Sequence, residues 1–299
     1  MIGPPTVLVV GAGAGVPYEL PSGRRLLEDA ISAAHEIARE LPPLLGMEPD
    51  QVKAFLDRLH TAECDSIDAL LERHPYDEQL QRAGRGVMAY CLAPYLRRTT
   101  LTAPGEDWLK FVWNKMAEGA ETFHDLHKNR LHLVTFNVDK VIELKLGKAI
   151  SALYGTASEA DVREFVETVV LHVQGAIDHP PTHGALTEEW LHAAVRGIRI
   201  VREPGSDLTI NLVRGLVQAA HVLCCLGFGH HRDNVTKLGF PDLTPASAHT
   251  TEIFSTAVGL TAGQLSEVAR AYGAGWSWVF GTTDESCLDF LTNRDILRG

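Results

Sequence analysis

The sequence contains no Cys-x-x-Cys pair; its five cysteines, Cys64, Cys91, Cys224, Cys225 and Cys287, are scattered and odd in number. That excludes a zinc ribbon and offers no framework of paired disulfides. Positive charge is also in short supply. The formal charge of −11 argues against a broad basic surface, so no direct nucleic-acid binding is expected and only a local phosphate pocket is left open. The longest apolar candidate for a membrane span, Leu212 to Phe228, is interrupted by Arg214, Gln218 and His221. The N-terminus lacks a basic segment followed by an apolar core and a small-residue cleavage site. The protein is therefore read as cytoplasmic, without a membrane partner. Internal repeats, low-complexity tracts and flexible linkers are absent, so the parts are expected to pack as one unit.

What is present is an ordinary globular composition, 45% hydrophobic and 22% charged over 299 residues, long enough for one large α/β domain with an insertion or for two small domains. Thr6 to Val10 is short, β-branched and apolar on both faces, as a buried parallel strand requires. It runs into Gly11-Ala12-Gly13-Ala14-Gly15, where missing Cβ atoms let the backbone turn tightly and approach a pyrophosphate near a helix N-terminus. Ser22 is the expected cap of that helix, with Leu27, Ile31, Ala34 and Ala38 at helical spacing. Two standard nucleotide fingerprints are not met. Val16 stands where G-x-G-x-x-G has its third glycine, and no Gly-Lys-Ser/Thr follows. Glu28 and Asp29 lie inside the helix, not at the end of a second strand. A glycine-rich turn without a ligand is the alternative.

Between Arg24 and Lys128 the pattern predicts helices and no strand. They are placed at Arg24–Glu40, Pro49–His60, Ser66–Arg73, Asp77–Leu96 and Asp107–Leu126, with breaks at Pro42-Pro43, Pro75 and Pro104-Gly105 and caps at Asp50 and Ser66. Met47, Phe55, Leu56, Leu59, Trp108, Phe111, Val112 and Trp113 read as core. The fold class expected is α/β, with a Rossmann-like parallel sheet and a large helical insertion after the first strand. Residues 1–299 form one domain, residues 1–30 and 129–299 its core and 31–128 the insertion.

Leu131–Phe136 is the second strand. It leads into Asn137-Val138-Asp139-Lys140 and a helix from Asp139 to Leu153, with Val138, Val141, Ile142, Leu146, Ala149 and Leu153 on the buried stripe. Asn137 and Asp139 then stand where a strand meets a helix N-terminus, the usual place of ligands in open parallel sheets; either could instead cap the helix. The third strand, Thr168–Val173, ends in His172-Val173-Gln174-Gly175. An imidazole with a pKa of about 6.5 can act as a general base near neutral pH, and Gly175 admits close backbone approach. A histidine that only forms structural hydrogen bonds is the alternative. Ile198–Val201 is a further strand candidate. His221–Leu226 is the fourth clear strand and opens into Gly227-Phe228-Gly229-His230-His231, where the glycines could pass close to a ribose or phosphate and Phe228 could pack on a planar ring. An ordinary tight turn would look the same. A loop at Gly239–Ala248, a helix at Thr261–Tyr272, an apolar Trp276–Phe280 segment and a helix from Ser286 to Leu297 complete the chain.

Together, Gly11-Ala12-Gly13, Thr135-Phe136-Asn137-Val138-Asp139, His172-Val173-Gln174-Gly175 and Leu226-Gly227-Phe228-Gly229 resemble, in that order, the motifs of the bacterial sirtuin-like family. The likeness is greatest to members that hydrolyse NAD in antiphage defence. It covers residues 7–30 and 131–235, and more loosely Asp65–Arg73 and Trp108–Trp113. The chain departs from the family pattern at Gly15, where many relatives have serine, and at Glu19, where glycine is common. It also lacks the paired-cysteine zinc module of protein deacylases.

This resemblance implies that NAD+ is the substrate, cut at the nicotinamide–ribose bond without a metal. Asn137 and His172 would be the catalytic residues. Gly11, Ala12, Gly13, Ala14, Asp139, Gly175, Gly227 and Phe228 would bind the dinucleotide. Nicotinamide leaves a cationic pyridinium as a neutral molecule, so the site has to stabilise an oxocarbenium-like sugar and place water, with no general acid required. The resemblance further implies NAD depletion in abortive infection, a homo-oligomer, and a partner such as a helicase-type ATPase. Other readings are a non-hydrolytic NAD or ADP-ribose sensor, a deacylase, and a metal-dependent hydrolase prompted by His124-x-x-His127, His179-x-x-x-His183 and His230-His231-Arg232-Asp233.

Overall fold

The computed structural model describes residues 1–200, 208–240, 252–273 and 275–297. At its centre is a six-stranded, all-parallel sheet in the order β3-β2-β1-β4-β5-β6. The strands are β1 (Thr6–Val10), β2 (Leu131–Thr135), β3 (Val170–His172), β4 (Val222–Leu226), β5 (Glu252–Ser255) and β6 (Ser277–Phe280). The architecture is Rossmann-like. The chain moves outward from β1 to β3 and then crosses back to β4, so a crevice opens at the carboxyl ends of β1 and β4. Every residue of β1 is buried. Leu8 and Val10 enter the core on one face of the sheet, and Val7 and Val9 enter it on the other. In β4, Cys224 and Leu226 oppose Leu223 and Cys225 in the same way. Burial on both faces is why these strands read as unbroken apolar runs.

Between β1 and β2 the chain is helical throughout, as expected. This region covers the Leu8/Val10 face with Phe55, Leu56, Leu59, Trp108 and Val112 buried, while Met47, Phe111 and Trp113 pack partly buried against them. The Trp108 Nε1–H donates to the Ala14 carbonyl at 2.8 Å and the Tyr18 hydroxyl to Asp107 at 2.9 Å, fastening the insertion to the turn after β1.

Several boundaries differ from the sequence reading. The expected Arg24–Glu40 helix is two, Gly23–Ser32 and Ala34–Leu45, joined at Ala33. Its buried stripe is Leu26, Ala30, Ile37 and Leu41. Pro42 and Pro43 do not stop the second helix, which continues to Leu45 and ends at Gly46, left-handed at φ 59. Glu48 takes the cap position assigned to Asp50, because Pro49 occupies the first helical position and Gln51 Oε1 accepts the Glu48 N–H at 3.0 Å. Ser66 does cap its helix, accepting the Ala69 N–H at 3.2 Å. The helix placed at Asp107–Leu126 stops at Ala117, and Phe123–Lys128 is a separate 3-10 turn.

The helix after β2 starts at Val141, and Ile150 takes the buried position expected of Leu153, which is exposed. The Glu159–Val169 helix runs directly into β3 and shortens it. Ile198 forms one antiparallel bridge with Gly175, while Val201 and residues 241–248 of the expected loop lie outside the described residues. Strand β5 was not expected: four residues with an exposed Glu252 are too few to show a period. The last helix is Cys287–Asn293.

One ion pair ties the insertion to the second half of the sheet. Lys237 Nζ lies 2.6 Å from Glu72 Oε1 and also donates to the Ile200 carbonyl at 3.3 Å. Burial pushes the Glu72 carboxyl up even though Lys237 opposes the shift. Removing the ammonium would strand a buried carboxylate, so Lys237→Met is expected to lose about 3 kcal/mol of stability in urea unfolding. The Lys237→Met/Glu72→Leu double variant should recover most of that loss; a double variant as unstable as the single one would mean that the lysine stem, not the charge, holds the contact.

Candidate functional site

At the crevice, the turns after β1 and β4 cross backbone against backbone. Gly11 N–H donates to the Leu226 carbonyl and Gly13 N–H to the Gly227 carbonyl, each at 3.0 Å. A Cβ on Gly11 would lie 2.6 Å from Gly227 O, and one on Gly227 would lie 2.0 Å from Ala14 N. The glycines expected to admit a pyrophosphate are therefore required first by this crossing. Ala14 N–H donates to Gly11 O, so three of the four amides from Gly11 to Ala14 are engaged inside the protein. The segment Ala12–Tyr18 is a 3-10 helix, and the α-helix begins only at Gly23 with Ser22 Oγ accepting the Arg25 N–H at 3.2 Å.

A cleft of about 740 Å³ opens above this crossing, within the range of small-molecule sites. Its floor includes Gly11, Ala12, Gly13, Phe136, Asn137, Gln174, Gly227 and Phe228. Its walls come from the Gly23–Ser32 helix and its cap, with Ser22, Arg24, Leu27, Glu28 and Ile31, and from the Glu63–Asp68 stretch of the insertion. Leu27 and Ile31 thus line the cleft, with Leu27 also packed partly buried against the core. A side pocket of about 100 Å³ opens from it, lined by Leu20, Leu26, Ile67, Met88 and Leu92 together with Asp139. Ala12, Ser22, Gly23, Asp68, Phe136, Asn137 and Gln174 line both spaces.

Two buried polar atoms on the cleft have no partner. Gln174 is 5% exposed with Nε2 unbonded, and Asn234 is 8% exposed with Oδ1 unbonded. Each such group, closed off from solvent, costs about 1–3 kcal/mol. The Gln174 backbone is held firmly: its carbonyl accepts from Arg199 N–H at 2.7 Å, and the next residue, Gly175, sits at φ 75 against Gly197. Sequence reading passed over both amides. Gln174 lay two residues beyond the histidine that drew attention, and Asn234 lay in a helix whose start was not visible.

Asn137 reaches the cleft, where its Nδ2 donates to Gly11 O at 3.3 Å. His172 lies beneath it and lines neither space. Both its nitrogens are engaged, Nδ1 with Asn137 O at 2.8 Å and Nε2 with Glu143 Oε1 at 2.6 Å. Burial alone would depress this imidazole, but the Glu143 hydrogen bond and charge and the Asn137 carbonyl outweigh it and hold the pKa above its ordinary value. Asp139 both lines the side pocket and accepts the Val141 N–H at 3.1 Å, so the capping and lining roles coincide. Of the remaining expected ligand-binding residues, Ala14 is buried in the core and Gly175 is bridged to Ile198; neither lines the cleft.

Burial pushes the Asp139 carboxyl up to about 6, with Glu143 adding to the shift and Val141 N–H and His172 opposing it. A raised carboxyl pKa means that the native state holds the proton more tightly than the unfolded chain. Its contribution is present below the unfolded value, is lost as pH rises through about 6, and leaves a penalty of about 3 kcal/mol at neutral pH. Asp139→Asn should therefore gain stability over wild type between pH 4.5 and 7.5 in urea melts, and a difference flat with pH would contradict the shift.

Three of the histidines behind the metal reading, His124, His127 and His230, have other contacts. His127 packs edge-on against Phe123 and Phe165, with His124 beside it. His230, left-handed at φ 53, bonds Tyr272 Oη at 2.8 Å and Ser255 Oγ at 2.9 Å, and burial pushes its pKa down to about 3. Among the described residues, no three His, Cys, Asp or Glu side chains are grouped to hold a metal ion, and no helix is long and apolar enough to cross a membrane. The chain matches no family model and no curated protein.

Proposed function

We propose that the chain hydrolyses NAD+ to nicotinamide and ADP-ribose, water adding to the ribose C1′ as the glycosidic bond breaks and a proton being released. The observation that carries this reading is the junction of the two spaces. A planar carboxamide-bearing ring fits the apolar side pocket beside Asp139, its ribose falls in the cleft, and Asn137 and Gln174, which line both, flank the bond between them. Asn137 Oδ1 orients the ribose hydroxyls or the attacking water, with Gln174 beside it in the lining of both spaces. The pyrophosphate is taken by the first turn of the Gly23–Ser32 helix, where Ser22, Gly23 and Arg24 line the cleft, since most amides of the Gly11–Ala14 turn are already engaged. His172 acts through Asn137: its charge, paired with Glu143, fixes the carbonyl of the residue that touches substrate. The direct general-base role would require its Nε2 to leave Glu143. By the resemblance stated above, the cellular setting is NAD depletion in antiphage defence, by a homo-oligomer acting with an ATPase partner.

A non-hydrolytic NAD or ADP-ribose sensor is the second reading, and the engagement of both His172 nitrogens favours it. Purified protein incubated with NAD+ separates the two. The hydrolase reading expects free nicotinamide, lost in Asn137→Ala; the sensor reading expects saturable ADP-ribose binding with no nicotinamide.

A further inference from the structure

Two walls of the cleft are rooted in different cores. On one side the Glu63–Asp68 stretch runs into the Ile67–Glu72 helix, whose Ile67, Leu70 and Leu71 belong to the apolar cluster on the Leu8/Val10 face of the sheet. On the other, Gly229, His231 and Asn234 lie on the way into or within the Arg232–Lys237 helix, where Val235 and the following Leu238 belong to the cluster on the Val7/Val9 face. Each helix is also held within its own half. Gln81 Nε2 donates to the Leu71 carbonyl at 2.7 Å, and Arg214 Nη2 to the Thr236 carbonyl at 2.9 Å. Among the described residues, neither apolar cluster has members from both helices, and the one ion pair between them joins their last residues, Glu72 and Lys237.

We propose that this pair is the latch of the cleft, so that a ligand enters and leaves as the Ile67–Glu72 and Arg232–Lys237 helices part. The identity of that ligand rests on the dinucleotide reading above; the motion does not. The Lys237 side chain is 6% exposed and that of Glu72 16%, so water competes little for the contact while the walls are together. Asp68 on the first helix and Asp233 on the second both act on Glu72 as like charges. Without the Lys237 ammonium the two walls therefore repel each other. A buried ion pair adds little net stability over an apolar pair of similar volume, and what it contributes here is a fixed spacing between two separately packed halves. Parting the walls returns both charges to water, which gives the cleft a closed and an open position with little between them.

The test uses the full chain carrying Glu72→Gln/Lys237→Met, which removes both charges and leaves no buried ion unpaired, with urea unfolding to compare its stability with wild type. Hydrogen exchange is followed in the two walls, residues 63–72 and 229–237, against strands β1 and β2. Amides of both walls are expected to exchange about tenfold faster than in wild type with β1 and β2 unchanged, and ADP-ribose to dissociate about tenfold faster. Glu72→Asp, which keeps both charges and shortens the reach by one carbon, is the second variant and should show the same wall-confined acceleration at about threefold. Walls that exchange as in wild type overturn the latch. So does an acceleration spread equally over β1 and β2, which marks general loosening. Faster exchange confined to the walls with no ADP-ribose binding upholds the latch and defeats the dinucleotide reading, whereas ADP-ribose binding with unchanged walls does the reverse.

Discussion

Gly227→Ala is expected to destabilise the protein by about 4 kcal/mol, roughly 6 °C in Tm, with a matching fall in the urea midpoint. Two strains add. The residue sits at φ 55, and its Cβ would come within 2.0 Å of Ala14 N and 2.4 Å of Gly13 C. Those atoms are backbone and cannot swing aside, and both Gly13 N–H and Gly11 N–H are anchored across the same crossing. Relief requires the turns after β1 and β4 to separate, which opens the floor of the cleft. Gly46→Ala provides the control, since Gly46 has nearly the same conformation at φ 59 with nothing within 4 Å of the added carbon. That variant should lose only the left-handed backbone penalty of about 1 kcal/mol. Equal losses at the two positions would show that the crossing is not what demands glycine at 227.

On the proposed mechanism, in which its amide acts where charge develops on the ribose, Asn137→Ala is expected to lower nicotinamide release from NAD+ at least about 100-fold in kcat, with KM moving little. Stability should change by less than about 1 kcal/mol, since the side chain makes one long hydrogen bond to Gly11 O at 3.3 Å. Partners beneath it should behave differently. Glu143→Gln keeps the shape of the pair but removes the charge that holds the His172 pKa up, so the alkaline limb of any pH–rate profile should move to lower pH. A profile unchanged in Glu143→Gln would remove His172 from the proposed mechanism, and full activity in Asn137→Ala would remove the junction of cleft and side pocket as the reacting centre.

Much of the fold was legible because parallel strands buried on both faces leave a plain mark. Val7–Val10 and Val222–Leu226 are apolar without alternation, Leu131–Thr135 less so with His132 and Thr135 in it, and the turns after the first and fourth strands carry the glycines their crossing requires. Helix ends were less legible. Whether Ala33 parts two helices, or whether the proline pair stops one, depends on what Leu26, Ile37 and Leu41 pack against. Among candidate site residues, Asn137, Gly11, Gly13, Gly227 and Phe228 came together in the cleft, and Asp139 in its side pocket. Ala14, Gly175 and His172 did not.

The sequence by itself determined strands β1 to β4, the all-helical insertion and the strand ends at which a ligand would lie, because burial and turn chemistry are local demands written into residue type. Tertiary structure decided the rest. Only the packing of Glu143 against β3 showed that both nitrogens of His172 are engaged, and only the fold of the insertion over the sheet brought Glu63, Asp65 and Asp68 opposite Gln174 and Asn234. Those residues lie far apart in the chain and follow no common period, so their chemistry appears only when their surfaces meet.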